Sequence, residues 1–182
     1  DLMHLGIFLY AHAVAGDAHL LTQVRDNLQA FTLDSDVQVA RFAAAVDAFG
    51  SPASWWGRLL GRDGAEQVNL KKAGLFPIVH GVRSLALAQG IGATSTAERL
   101  DALVAQQVLD PKLGQELQES LYFLMGLRLQ AGLHEWALHR PISGNVDPST
   151  LSSLERDLLK DTLAVVKRFK AVLHQRLRLD LV

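Results

Sequence analysis

Helix punctuation constrains this chain more than any other feature, because it recurs at short intervals from residue 17 to the end. Asp17 is a good N-cap, and Leu20, Leu21, Val24 and Leu28 follow at helical spacing to about Phe31. A second helix is expected from about Asp36, capped by Asp34 or Ser35, through Val39, Phe42, Ala43, Val46 and Phe49, with Gly50-Ser51-Pro52 as its stop. Residues 51–67 read as a short amphipathic turn and then a polar, Gly-containing loop, in which Trp55 and Trp56 plug a gap between elements. Pro77 fits the first turn of a third helix, whose stripe is Leu75, Ile78, Val79, Val82, Leu85 and Ala86 and whose end is Gly90 and Gly92. Ser95 with Glu98 makes a capping box for a helix through Leu100, Leu103 and Val104. Asp110-Pro111 opens a long helix centred on LYFLMGLRL, which is apolar on nearly every side and so predicts the buried middle of a bundle. The last helix opens at Asp147-Pro148 or at the capping box Ser152 to Glu155, with an apolar arc of Leu154, Leu158, Val165, Val166, Phe169, Val172, Leu173 and Leu177.

Helices joined by short connections imply an antiparallel all-α bundle. One stretch stands apart: GIFLYAHAVAGD, residues 6–17, reads as a strand with no sheet to join. At 182 residues, with 49% hydrophobic and 20% charged content, the chain is long enough for one sizeable core. No apolar run reaches the roughly 18 residues of a membrane span, and the N-terminus lacks the pattern of a signal peptide. A cytoplasmic protein that meets no membrane is expected. The absence of cysteine excludes disulfides and thiolate metal sites, and the net charge of -1 argues against wholesale nucleic-acid binding. The chain opens at Asp1 without an initiator Met, which points to a piece of something longer.

Metal and phosphate motifs fail on spacing. HEWALH places His134 and His139 five apart, about 140° around a helix, whereas a zinc-protease helix needs four, and no Glu-x-x-His pair exists for a di-iron site. Neither GIGATST nor GRLLGRDG satisfies a phosphate-loop pattern, and Gly50-Ser51 is followed by no paired Asp on a strand. The chain is therefore not expected to be catalytic alone, to bind a metal, or to hold a cofactor of its own. The cations say more. Lys71 and Lys72 precede the helix that Pro77 starts, where the dipole favours an anion, although solvated lysines at a helix entry are the alternative. Arg83 flanks an apolar stripe and Arg128 falls within that of Leu117, Leu121, Leu124 and Ala131, so each needs a carboxylate, a ligand phosphate or backbone carbonyls. Arg156, Lys160, Lys167, His174 and Arg178 form one strip on the last helix, readable as a cleft lining or a solvated face.

Three segments taken together, VNLKKAGLFPIVHGVRSLALAQGIGATSTAERLDAL, LYFLMGLRLQ and GNVDPSTLSSLERDLLK, resemble the nucleotidyltransferase substrate-binding domain of bacterial signal-transduction proteins over nearly the whole chain. In that family the domain follows a nucleotidyltransferase domain similar to the N-terminal part of protein-PII uridylyltransferase, commonly preceded by CBS domains and a cyclic-nucleotide-binding-like domain. The resemblance implies that residues 1–16 are the closing strand of the upstream catalytic sheet and 17–182 the helical substrate-binding domain. The family usually has an acidic residue where Tyr10 stands and an arginine where His12 stands, and both charges are missing here. It further implies a division of labour: the upstream domain holds Mg²⁺ and a nucleoside triphosphate, while this bundle closes the cleft and presents an acceptor, a protein or a small molecule. Lys71, Lys72, Arg83, Arg128, Arg156 and Lys160 are the candidates to face that cleft in an electrostatic role, and Asn145 is expected to fix a turn. The alternative is a structural or dimerisation bundle, a homodimer among its partners, in a regulatory CBS-domain protein.

Overall fold

A computed structural model describes residues 11–33, 36–49 and 67–182, and among these the chain is helical with no strand. In order it forms α1 (Ala18–Leu33), α2 (Asp36–Ala43) running into a 3₁₀ turn (Ala44–Asp47), a π turn (Lys71–Leu75) continuing as α3 (Phe76–Ala88), α4 (Thr96–Ala105) and α5 (Pro111–Ala137). A 3₁₀ turn (Pro148–Thr150), α6 (Ser153–Leu177) and a last 3₁₀ turn (Leu179–Leu181) complete it. The all-α bundle is as expected from the punctuation. The strand expected at 6–17 begins outside the described residues, as do Tyr10, Gly50, Trp55 and Trp56; its described part, 11–16, bends into Asp17, whose Oδ1 accepts the His19 N–H at 2.9 Å. Arg25 on α1 donates to the Ala11 carbonyl. No described helix is long and apolar enough to cross a membrane.

The cap expected at Asp34 or Ser35 lies outside the described residues, and those expected further along the chain are in place. Ser95 and Glu98 close a capping box on α4, Ser152 and Glu155 close another on α6, and Asp110 caps α5 ahead of Pro111. Both openings foreseen for the last helix are used, since Asp147 caps the short 3₁₀ turn that precedes α6. The start of α3 differs. Pro77 has no N–H to give the Ala73 carbonyl, so an ordinary ladder cannot run through this point. Instead the Phe76 N–H reaches back five residues to the Lys71 carbonyl, and Asn69 Oδ1 caps the turn by accepting the Lys72 N–H at 3.0 Å. Lys71 and Lys72 are thus inside the helical run, not ahead of it.

The buried middle of the bundle is α3, not α5. It packs on α1, α2, α4 and α6, and Ile78, Val82, Leu85, Ala86 and Leu87 are all buried. Gly81 lets α6 approach, for a Cβ there would stand 2.5 Å from Leu173 Cδ1 and 2.6 Å from Phe169 Cε1. His80 is buried beside it, its Nε2 2.7 Å from the Phe42 carbonyl and its ring stacked on Phe76 at 5.0 Å. By contrast α5 buries one face only, through Leu117, Leu121, Leu124 and Leu127, while Tyr122, Met125, Leu129, Leu133 and Trp136 are exposed. The apolar arc of α6 is also rotated from its expected place: Leu159, Thr162, Leu163, Val166, Phe169 and Leu173 are buried, and Leu154 and Leu158 face out. An amphipathic wheel tolerates either assignment when leucine occupies both flanks, and the choice falls to the neighbouring helices.

Candidate functional site

The antiparallel packing of α5 and α6 sets the level of each cation they carry. Arg168 of α6 pairs with Glu116 of α5, and with an equal rise of about 1.5 Å per residue on both helices the same register brings Arg128 level with Arg156. α3 enters at that end too. Val68, just ahead of the π turn, pairs with Val146 in the loop between α5 and α6, with N–O distances of 2.7 and 3.0 Å. Leu75 and Arg128 line one groove of about 380 Å³ with Met125, Leu129 and Gly144. Lys71, Lys72, Arg128, Arg156 and Lys160 therefore belong to one end of the bundle. Arg83 does not join them: it lies eleven residues beyond Lys72, roughly 16 Å along the helix axis. There it is half-buried, and its charge opposes protonation of His80.

Individually these cations differ. Lys71 is exposed, and Lys72 holds its Nζ 5.5 Å from the centroid of the Phe49 ring. Lys160 donates to Asp157 at 2.9 Å, and Arg156 is half-buried one turn earlier. Arg128 is exposed rather than buried among the leucines of α5. Its side chain lies over Gly144, whose φ of +62° favours glycine, and a Cβ there would stand 2.8 Å from Arg128 Nε and push that exposed side chain aside. Glu135 holds the loop in that position by accepting the Ser143 N–H at 2.8 Å, the Ser143 hydroxyl at 2.5 Å and the Gly144 N–H at 3.1 Å. The Ser143 hydroxyl, then the Gly144 N–H, keep its carboxyl below the usual glutamate value. Asn145 acts in this turn through its main chain, its N–H donating to Ser143 Oγ at 3.0 Å; its buried Oδ1 accepts no hydrogen bond among the described residues.

A second basic groove, of about 750 Å³, escaped the sequence reading. Arg41 of α2 lines it together with Arg176 and Arg178 from the far end of α6, and with Asp36, Gln89 and Leu181. Arg176 and Arg178 are visible near the C-terminus of a helix, but nothing in the linear pattern brings Arg41 to them. Two further features were also not anticipated: Arg99 is 1% exposed inside α4, and Lys170 and His174 share the carboxylate of Asp47. His139 lies past the end of α5 with φ of 55°, and among the described residues no three His, Asp or Glu side chains are grouped so as to hold a metal ion; Asp47, His174 and Asp180 do meet, but with the Lys170 ammonium on the Asp47 carboxylate. The described residues accordingly do not fit Mg²⁺. What they offer is fixed positive charge and apolar walls, suited to holding an anionic or acidic group in place without proton transfer.

A family model described as Putative nucleotidyltransferase substrate binding domain matches residues 36–177. No curated protein sequence and no solved structure matches the chain.

Proposed function

The chain belongs to this nucleotidyltransferase substrate binding domain family, and from that premise we propose that it is the acceptor-binding half of a nucleotidyltransferase similar to protein-PII uridylyltransferase, in a bacterial signal-transduction protein with CBS and cyclic-nucleotide-binding-like domains. The observation that supports this reading is that Lys71 and Lys72 at the start of α3, Arg156 and Lys160 at the start of α6, and Arg128 beside the α5–α6 loop lie towards the same end of the bundle. Substrate phosphates or an acidic acceptor surface meet that end. The guanidinium of Arg128, braced over Gly144 by the Glu135-held loop, grips oxygen atoms in a fork, and the two lysines add point charge at the mouth of a helix. The acceptor is a protein or a small molecule. Mg²⁺ and the carboxylates that hold it belong to the upstream domain in this reading, so the bundle contributes binding and orientation, and no chemical step passes through it.

The test is thermal denaturation of this chain titrated with ATP, UTP and CTP, with and without Mg²⁺. A ligand that binds only the native state at a hundred times its Kd stabilises by about 2.7 kcal/mol. One nucleotide is expected to raise the Tm, and the Lys71→Ala/Lys72→Ala and Arg128→Ala variants to lose that rise while keeping the ligand-free Tm. A rise that survives these changes but vanishes in Arg41→Ala/Arg176→Ala moves the site to the second groove. No rise with any nucleotide removes nucleotide contact from this domain and leaves acceptor presentation alone.

A further inference from the structure

The exposed face of α5 is symmetric about Leu129. Tyr122 and Trp136 lie seven residues to either side, Met125 and Leu133 four, and Gly126 and Gly132 three. At about 100° per residue these offsets bring all seven within about 60° of Leu129, on a face that buried Leu121, Leu117 and Leu124 flank on one side. The five large side chains are between 53% and 69% exposed, and Ile142 beside Gly132 is exposed as well. Together they present on the order of 700 Å² of mostly apolar surface. That exceeds the largest patch of a typical monomer, about 300–600 Å², and approaches the roughly 800 Å² per partner of a stable specific interface.

Gly126 makes a separate point. A Cβ added there would meet nothing within 4 Å, so no contact inside the protomer calls for glycine, and its place in the middle of a long helix costs about 1 kcal/mol relative to alanine. A missing side chain on an exposed helix face is useful where another backbone comes close.

We infer that this face is a two-fold interface with a second copy of the chain, α5 against α5 in antiparallel array with Leu129 on the axis. A two-fold axis requires a surface complementary to itself, and in an antiparallel pair each residue a given distance before the axis meets the residue the same distance after it. Tyr122 then faces Trp136 of the second copy, Met125 faces Leu133, and Gly126 faces Gly132. The aromatics close the two ends, and the open space at Gly126 faces Gly132 of the second copy with that copy's own Ile142 beside it. This inference does not depend on nucleotide binding by the basic end of the bundle.

Sedimentation equilibrium of the chain tests it. The expected mass is about twice 19.9 kDa, falling to the single-chain value in Leu129→Glu with unchanged helical circular dichroism. Gly126→Leu, which places a good helix former in open space, should also give monomers, with a Tm no lower than that of the parent at the same dilution. Because the chain has no cysteine, Leu129→Cys supplies a clean cross-link: on the axis it forms an intermolecular disulfide under mild oxidation, whereas Leu154→Cys, exposed on α6, does not. A parent chain monomeric at about 100 µM assigns the face to some other partner and overturns the proposal. So does a dimer that survives Leu129→Glu, or a Leu129→Cys chain that cross-links no faster than Leu154→Cys.

Discussion

Lys170 Nζ lies 2.6 Å from Asp47 Oδ1, joining the middle of α6 to the 3₁₀ turn that follows α2. The second oxygen of the same carboxylate is 2.7 Å from His174 Nε2, and His174 Nδ1 is 3.2 Å from Asp180 in the last 3₁₀ turn. One aspartate thus anchors two elements distant in sequence. Lys170 is 8% exposed, so removing its partner strands a buried charge, although the half-open Asp47 admits some water to share the load. Asp47→Ala should cost about 1–3 kcal/mol, against about 0–0.5 kcal/mol for Asp157→Ala, which breaks only the exposed pair with Lys160. Urea unfolding at neutral pH measures both, and equal losses would refute an anchoring role.

Acid should unfold the protein in two stages. Burial, together with the charge of Arg83, holds the His80 pKa below its ordinary 6.5 against the opposing hydrogen bond to Phe42. The unfolded chain therefore takes up that proton first, so the contribution of neutral His80 is complete above pH 6.5 and is lost as pH falls below it. Burial tends to raise the Asp47 pKa, but Lys170 and His174 outweigh it and hold the group below 3.8. Its contribution is complete above pH 3.8 and is lost below. In a series of thermal melts, His80→Gln should flatten the first decline and Asp47→Asn the second; parallel curves for parent and variants would show that these groups do not drive the acid response.

Glycine to alanine should have opposite signs at two helical positions. At Gly81 the new methyl enters the space of Phe169 and Leu173, both fully buried, and overpacking of this kind costs about 1–3 kcal/mol. At Gly126 it enters open space and gains up to about 1 kcal/mol of helix propensity in the isolated protomer. Melts at low protein concentration distinguish the two, and a stabilised Gly81→Ala would contradict the close approach of α3 and α6.

Glu135 should govern the loop beneath Arg128. Three donors from Ser143 and Gly144 converge on its carboxylate, so Glu135→Ala releases residues 143–144 while leaving the buried face of α5 intact. Limited proteolysis is expected to cut the 140–147 loop several-fold faster in the variant, with the global Tm little changed. A loop equally resistant in both proteins would mean that the Val68–Val146 bridge alone secures it.

Whatever depends on residues within one turn of each other is legible in the chain itself. Asp17, Ser95, Asp110, Asp147 and Ser152 all cap helices as their local patterns demand, because a cap is a bond between a side chain and a backbone group two or three residues away. Punctuation of that kind determines the number, order and starts of the helices from α4 onward, and with them the all-α class. Which helix is central and which leucines are inside is another matter. α5 carries apolar residues on two faces, and local rules give them equal claim to the core; only the shapes of α3, α4 and α6 select one face and leave Leu129 in the open. The tertiary structure likewise decides that Arg128 lies over Gly144, that Asp47 meets Lys170, and that Arg41 lines one groove with Arg176. Those encounters are between residues far apart along the chain, brought together by packing whose information no single segment holds.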